Sequence, residues 1–186
     1  MFRKAFAFAL LAALLAPAAA SATPILGLPA VPPEQAAVWA HQHRATPLFV
    51  SLAGIYWEIG EKLGVRPEVA YAQAAKETDF GRFTGVLNTT FHNPAGLKRP
   101  QGGPNHSPGA HMRFKSWREG ITAQFEHLAL YAGKPGYPRA GAVDPRPFAS
   151  LHGRAKTVEA LGGSWAPSKA YGRSLARLVQ MLDLVT

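Results

Sequence analysis

Apolar residues recur along much of the chain at spacings of three and four, the repeat of an amphipathic helix. The clearest case starts at Thr46-Pro47, a capping hydroxyl followed by a proline suited to the first turn. Its apolar face would be formed by Leu48, Leu52, Ile55, Ile59 and Leu63. Gly64 is expected to end this helix.

Five further helical segments are predicted. One follows Pro32-Pro33, one starts at Pro67-Glu68, and one starts at Ser116 with Glu119 placed for a capping box. A short helix is expected near residues 154–161 and a last one after Pro167. Residues 85–109 are rich in glycine, proline and polar residues, which predicts long loops with one small hairpin. The pattern therefore predicts a mainly α domain with one irregular lobe.

The first 22 residues have the order of a secretory signal: two basic residues, an apolar run over residues 5–16, and small residues at 20–22. The apolar run is shorter than the roughly 20 residues that span a bilayer. We expect cleavage after Ala22 and no membrane anchor in the mature protein. Residues 23–45 would form an arm and short helix, and residues 46–186 the main domain.

The amino-acid composition limits the kinds of catalysis and the partners to be expected. The chain has no cysteine, which excludes disulfides and thiol catalysis, and a net charge of +9 favours polyanionic partners. Nucleic acid is not expected, because the basic residues are dispersed and export argues against it. The seven histidines form no H-E-x-x-H motif. We therefore expect no metal and no cofactor, with a zinc amidase as an alternative enzyme class. Oligomeric state cannot be read from the sequence.

One of the 11 acidic residues is placed differently from the rest. Glu77 ends a helix, where the dipole disfavours a negative charge, and it stands just before the irregular lobe. Burial against Phe80 or Phe83 would raise its pKa further. A carboxyl kept protonated in this way is suited to general acid catalysis.

Four segments resemble the glucosaminidase family (mannosyl-glycoprotein endo-beta-N-acetylglucosaminidase-like, glycoside hydrolase family 73). Residues 72–78 (AQAAKET) resemble the family's AQA-x-x-E-[ST], and residues 93–98 (NPAGLK) its N-L-F-G-I-K. Residues 114–119 (FKSWRE) resemble part of F-x-x-Y-x-S-x-x-E, and residues 165–171 (WAPSKAY) fall where the family often has Y-A-T-D-P-x-Y.

The resemblance implies a lysozyme-like fold, peptidoglycan as substrate, and Glu77 as catalytic acid on the floor of a groove. Asn93 and Gly96 would shape the groove wall, and Tyr171 would support the acid or the substrate's acetamido group. Aromatic side chains would line the sugar sites, which makes Trp165 and Phe80 candidate substrate-binding residues. Trp165 and Ser168 depart from the family's usual Tyr and Asp.

The sequence does not identify a second catalytic group to act with Glu77. Residues 81–112 contain no Asp or Glu, so no second carboxylate is expected from the irregular lobe. A single-acid hydrolysis assisted by the substrate's N-acetyl group is the favoured interpretation. A lytic transglycosylase, in which the 6-hydroxyl of muramic acid attacks, is an alternative. A basic wall-binding module with a catalytically weak site is another.

Overall fold

A computed structural model describes residues 22–185. Six α-helices run in the order α1 Pro33–Gln42, α2 Pro47–Ser51, α3 Ala53–Leu63, α4 Pro67–Thr78, α5 Trp117–Ala132 and α6 Lys169–Asp183. Four short 3-10 helices lie in the connections, at Thr89–Phe91, Pro108–Ala110, Ala149–Leu151 and Glu159–Leu161. The mainly α prediction is confirmed. The signal-peptide prediction falls almost wholly outside the described residues.

Three helix ends predicted from capping residues, at Thr46, Gly64 and Ser116, are confirmed. The Thr46 hydroxyl accepts the backbone N–H of Phe49, and Gly64 ends α3 in the left-handed region. The Ser116 hydroxyl caps α5 by accepting the N–H of Glu119. The long helix expected from Thr46 to Gly64 is instead divided at Leu52, whose N–H bonds to the carbonyl of Phe49 in a tighter turn.

The core surrounds α4, which packs against α3, α5 and α6. Most of its residues are buried, and four of its twelve positions are alanine. Such small side chains let the neighbouring helices approach closely. This placement fixes both the direction of α4 and the point at which its last turn emerges beside the irregular lobe.

The N-terminal arm belongs to the same core as the helices that follow it. Ile25 is fully buried, and the buried Glu68 carboxylate accepts the N–H groups of Ala30 and Val31 at 2.5 and 3.0 Å. The indole of Trp57 donates to the Val31 carbonyl at 2.6 Å. Three side-chain hydrogen bonds thus fasten the arm to α3 and α4.

The irregular lobe, residues 79–116, is held by turns and a small second core. Its expected hairpin is reduced to one isolated bridge between Lys98 and His111. Ala95, Leu97 and Phe114 form the second core with Ala123 of α5. The gap between this lobe and the ends of α4 and α6 is the groove described below. Within residues 22–185, no helix is long and apolar enough to cross a membrane.

Candidate active site

Glu77 lies in the last turn of α4, where the chain leaves the core. Asp79 and Phe80 both have positive φ, at 50° and 53°, and turn the backbone sharply into the irregular lobe. The Glu77 side chain is open to the groove, yet protein atoms crowd its carboxyl on the other sides. This desolvation raises its pKa, against smaller lowering effects from the Tyr171 hydrogen bond and the charge of Lys76. Glu77 thus has the environment of a general acid.

Tyr171 contacts that carboxyl directly. Its hydroxyl donates to Oε1 of Glu77 at 2.6 Å from the start of α6. Burial raises the pKa of Tyr171 well above its usual value, and the neighbouring Glu77 charge raises it further, so the phenol keeps its proton and remains a donor. Ser168, the residue that departs from the family pattern, accepts the N–H of Ala170 and so caps the helix that carries Tyr171.

A chain of buried hydrogen bonds continues behind Tyr171. Tyr56 donates to Oε1 of Gln124, whose Nε2 donates to Oε1 of Gln73, each at 2.9 Å. Nε2 of Gln73 then donates to the Tyr171 hydroxyl at 3.1 Å. Nε2 of Gln124 also donates to the carbonyl of Ala70 in α4. Every donor in this chain points toward Glu77.

The direction of this relay has a chemical consequence. Each glutamine amide oxygen already accepts a hydrogen bond from the preceding donor. The orientation of both amide groups is therefore set by their partners. The hydroxyl of Tyr171 accepts one hydrogen bond, from Gln73, and donates its own hydrogen bond to Glu77. Aligned donors polarise one another, which strengthens the last bond of the series. The sequence did not predict this relay of Gln73 and Gln124.

The groove consists of two connected cavities that meet at Glu77. The larger has a volume of about 480 Å³ and the smaller about 300 Å³. Both are lined by Glu77, Gly96, Asn105 and His111. Glu77 therefore lies at the junction of the two cavities, with open space on either side.

Trp165 lines the larger cavity as part of an aromatic cluster. Its ring centroid lies 5.6 Å from that of Tyr131 and 5.1 Å from that of His127. Lys98 and Arg146 add positive charge to the same cavity. An indole face next to cationic and polar groups suits a sugar that carries an acidic substituent.

Two of the remaining predicted site residues, Gly96 and Asn93, lie in the wall of the groove. Gly96 has φ +62° and lies in the wall shared by both cavities. Asn93 is buried and lines the smaller cavity. Its Nδ2 donates to the carbonyls of Leu97 and Met112, and its Oδ1 accepts the N–H of Leu97. These hydrogen bonds shape the loop that forms the wall.

Phe80 lies outside the groove. Its ring stacks on His43 with centroids 4.9 Å apart and packs near Trp39 in the main core. The structure therefore does not bring Phe80 to the substrate side with Glu77. Phe83 lines the smaller cavity beside Glu77 instead.

A buried pair that the sequence did not predict, His127 and Asp144, lies at the floor of the larger cavity. Nδ1 of His127 donates to the Asp144 carboxylate at 2.8 Å. Both side chains are almost fully buried, and His127 lines the cavity. The backbone N–H groups of Val143 and Asp144 are bound by Glu126 of α5. The only available signal was a histidine among the apolar residues of α5.

Asp79, the acid closest to Glu77 in sequence, is engaged elsewhere. Its carboxylate binds the guanidinium of Arg82 at 2.7 and 2.9 Å on the exposed surface. The Arg82 hydrogen bonds lower the pKa of Asp79, so it is ionised at neutral pH. Asp79 is therefore engaged in this surface ion pair.

Comparison with known proteins decides the family. The model of the glucosaminidase family, described as mannosyl-glycoprotein endo-beta-N-acetylglucosaminidase, matches residues 53–184, which is more than half of the chain. The chain belongs to the glucosaminidase family. The matched residues include α3 to α6 and therefore both Glu77 and Tyr171.

Two further similarities concern individual proteins. An uncharacterized protein of Borreliella burgdorferi is 33% identical over 121 residues, which covers 64% of this chain and 56% of the relative. The catalytic domain of the autolysin Auto from Listeria monocytogenes matches with a TM-score of 0.48 and 16% identity, over 79% of this chain and 86% of that one.

Proposed function

We propose that this glucosaminidase hydrolyses the glycan strand of peptidoglycan as an endo-beta-N-acetylglucosaminidase, with Glu77 as general acid. The observation that carries the proposal is the position of Glu77 between two cavities, with a raised pKa and a hydrogen bond from Tyr171. Membership of the glucosaminidase family supports the reaction class.

The hydrogen bond assigns separate tasks to the two oxygens of Glu77. Oε1 accepts from Tyr171, so the acid proton resides on Oε2 and is available to the substrate. Glu77 gives that proton to the glycosidic oxygen as the bond to the anomeric carbon breaks. Water then adds to the anomeric carbon, and its proton returns to the Glu77 carboxylate. The substrate's own N-acetyl oxygen stabilises the cationic carbon in between.

The groove supplies recognition on both sides of the broken bond. Trp165 and Tyr131 offer apolar faces to a sugar ring in the larger cavity. Lys98 and Arg146 attract the lactyl or peptide carboxylates that peptidoglycan carries. His127, oriented by Asp144, supplies one more polar contact at the floor. Peptidoglycan lies outside the cytoplasm, so the proposal includes export to the periplasm or cell wall.

A lytic transglycosylase is the second candidate, and one specific observation favours it. Residues 81–112, which form most of the irregular lobe, contain no carboxylate to activate water. The 6-hydroxyl of muramic acid would then attack the anomeric carbon, and Glu77 would accept its proton. Both candidates need the same acid, but they leave different ends on the glycan.

The first experiment separates catalysis from binding. Purified mature protein and its Glu77→Gln variant are each incubated with purified peptidoglycan, and both soluble muropeptides and wall-bound protein are measured. We expect the variant to bind the wall but to release muropeptides at least 100-fold more slowly. Equal release by both proteins would overturn the role of Glu77.

The thermal stability of the Glu77→Gln variant is the control that separates a loss of catalysis from a loss of folding. Because burial raises the pKa of Glu77, its ionised form is disfavoured in the folded protein at neutral pH. Replacement by neutral glutamine is therefore expected to leave the Tm unchanged or to raise it. Lost activity with an unchanged Tm is then a catalytic effect.

A further inference from the structure

The described arm makes its first long-range contacts at Thr23, through Glu159. The backbone nitrogen of Thr23 lies 3.2 and 3.1 Å from the two carboxylate oxygens, and its hydroxyl donates to Oε1 at 3.0 Å. The Thr23 carbonyl accepts the N–H of Val158 at 2.8 Å. A bridge between Pro24 and Thr157 extends this pairing.

The carboxylate is placed for a better donor than a peptide group. A backbone amide has one hydrogen, which the two carboxylate oxygens here share in a bifurcated hydrogen bond. An α-ammonium has three hydrogens and a full positive charge, and it binds such a carboxylate as an ion pair. Thr23 is also the residue that follows the expected signal-peptide cleavage after Ala22.

We propose that removal of residues 1–22 converts the Thr23 nitrogen into a free ammonium and that Glu159 binds this new N-terminus as a partly buried ion pair. The proposal rests on cleavage after Ala22. Water supplies its hydroxyl to the Ala22 carbonyl carbon as the bond from that carbon to nitrogen breaks. The Thr23 nitrogen takes the other hydrogen of the water and then the proton of the new Ala22 carboxyl group, which leaves an ammonium and a carboxylate. Processing would thus create a contact that the precursor lacks.

The ion pair would fasten three elements together. Glu159 starts the 3-10 helix Glu159–Leu161, and its backbone packs directly against α6 at Gly172. A Cβ at Gly172 would lie 2.1 Å from the Glu159 carbonyl oxygen, so the two segments are in close contact. The other acid nearby, Asp183, is already bound by Arg66 at 2.9 Å. Glu159 is therefore the acid that faces Thr23.

Extra residues before Thr23 can be accommodated without unfolding the chain. Ala22 is exposed and lines an open cavity of about 610 Å³, which also contains Arg66, Arg173 and Arg177. A chain that keeps Ser21 and Ala22 moves the ammonium away from Glu159 but leaves the rest of the arm intact. It is therefore a matched reference for the mature form.

The first test is the intact mass of the exported protein after expression of the full chain. We expect a mature protein that begins at Thr23. A different N-terminus would overturn the proposal. Neither this measurement nor the next uses wall hydrolysis, so a failure here is distinct from a failure of the proposed enzymatic function.

The second test is a double-mutant cycle read by thermal unfolding at neutral pH. With Glu159 present, the chain beginning at Thr23 is expected to melt about 2–4 °C above the chain that keeps Ser21 and Ala22. In the Glu159→Gln background the difference should vanish. Glu61→Gln, which removes an exposed acid of α3, should preserve it. An equal difference in both Glu159 backgrounds would refute the ion pair.

Discussion

Replacing Tyr171 by phenylalanine removes one hydroxyl and leaves the ring. That hydroxyl donates to Oε1 of Glu77 at 2.6 Å and accepts from Nε2 of Gln73 at 3.1 Å. The ring still packs against the main core and under the ammonium of Lys76, 5.5 Å from the centroid. The change therefore tests the hydrogen bond with little alteration of volume.

The magnitude follows from the kind of bond lost. A hydrogen bond to a charged group contributes about 1.5–3 kcal/mol, and the low end applies because the groove admits solvent. During cleavage Glu77 becomes a carboxylate, and the bond stabilises that charge more than it stabilises the neutral acid. A loss of about 1.4 kcal/mol corresponds to a tenfold lower kcat. KM should change little, because Tyr171 lies behind the acid.

The pH dependence gives a second, independent readout. Acid catalysis needs protonated Glu77, so activity falls as the pH rises through its pKa. The Tyr171 hydrogen bond lowers that pKa, against the larger raising effect of burial. Removing the hydroxyl therefore raises the pKa of Glu77 and moves the basic limb of the profile to higher pH. A purely structural role for Tyr171 would not move this limb.

The assay is the release of soluble muropeptides from purified peptidoglycan across a pH series, with Tyr137→Phe as the matched control. Tyr137 lies in the loop after α5, outside the groove lining. A Tyr171→Phe enzyme with unchanged kcat and an unchanged pH profile would refute the reasoning.

Three further variants test other parts of the site. Gln124→Leu removes the middle of the relay and strands buried polar groups, so a loss of about 3 kcal/mol should lower the Tm by roughly 6–12 °C in calorimetry. Asp144→Asn leaves one acceptor oxygen for two donors, one of them His127, and should lower the Tm by roughly 4–8 °C. Trp165→Ala should raise KM for peptidoglycan roughly tenfold with a smaller change in kcat. An unchanged Tm or KM would contradict the corresponding assignment.

The sequence predicted those features of the fold that depend on nearby residues. Thr46, Gly64 and Ser116 could be read as caps because each acts on backbone groups within a few positions. Glu77 could be singled out because helix position and a local motif both bear on it. The break at Leu52 was not predictable, because the apolar repeat continues across it without interruption.

Features that join distant segments could not be predicted. Gln73 meets Gln124 across 51 positions and Tyr171 across 98, and no local pattern states that these side chains face one another. The direction of Phe80 depends on the two positive φ angles at the end of α4, which a helical projection does not anticipate. The pairing of His127 with a loop aspartate likewise appears only once the chain is folded.

The central claim is tested most directly by mass spectrometry of the glycan ends produced from purified peptidoglycan by the mature protein and by its Glu77→Gln variant. We predict new reducing-end N-acetylglucosamine from the active protein alone. Anhydro-muramic ends would retain Glu77 as the acid but would make the enzyme a transglycosylase. New ends of either kind from both proteins, or from neither, would contradict the account.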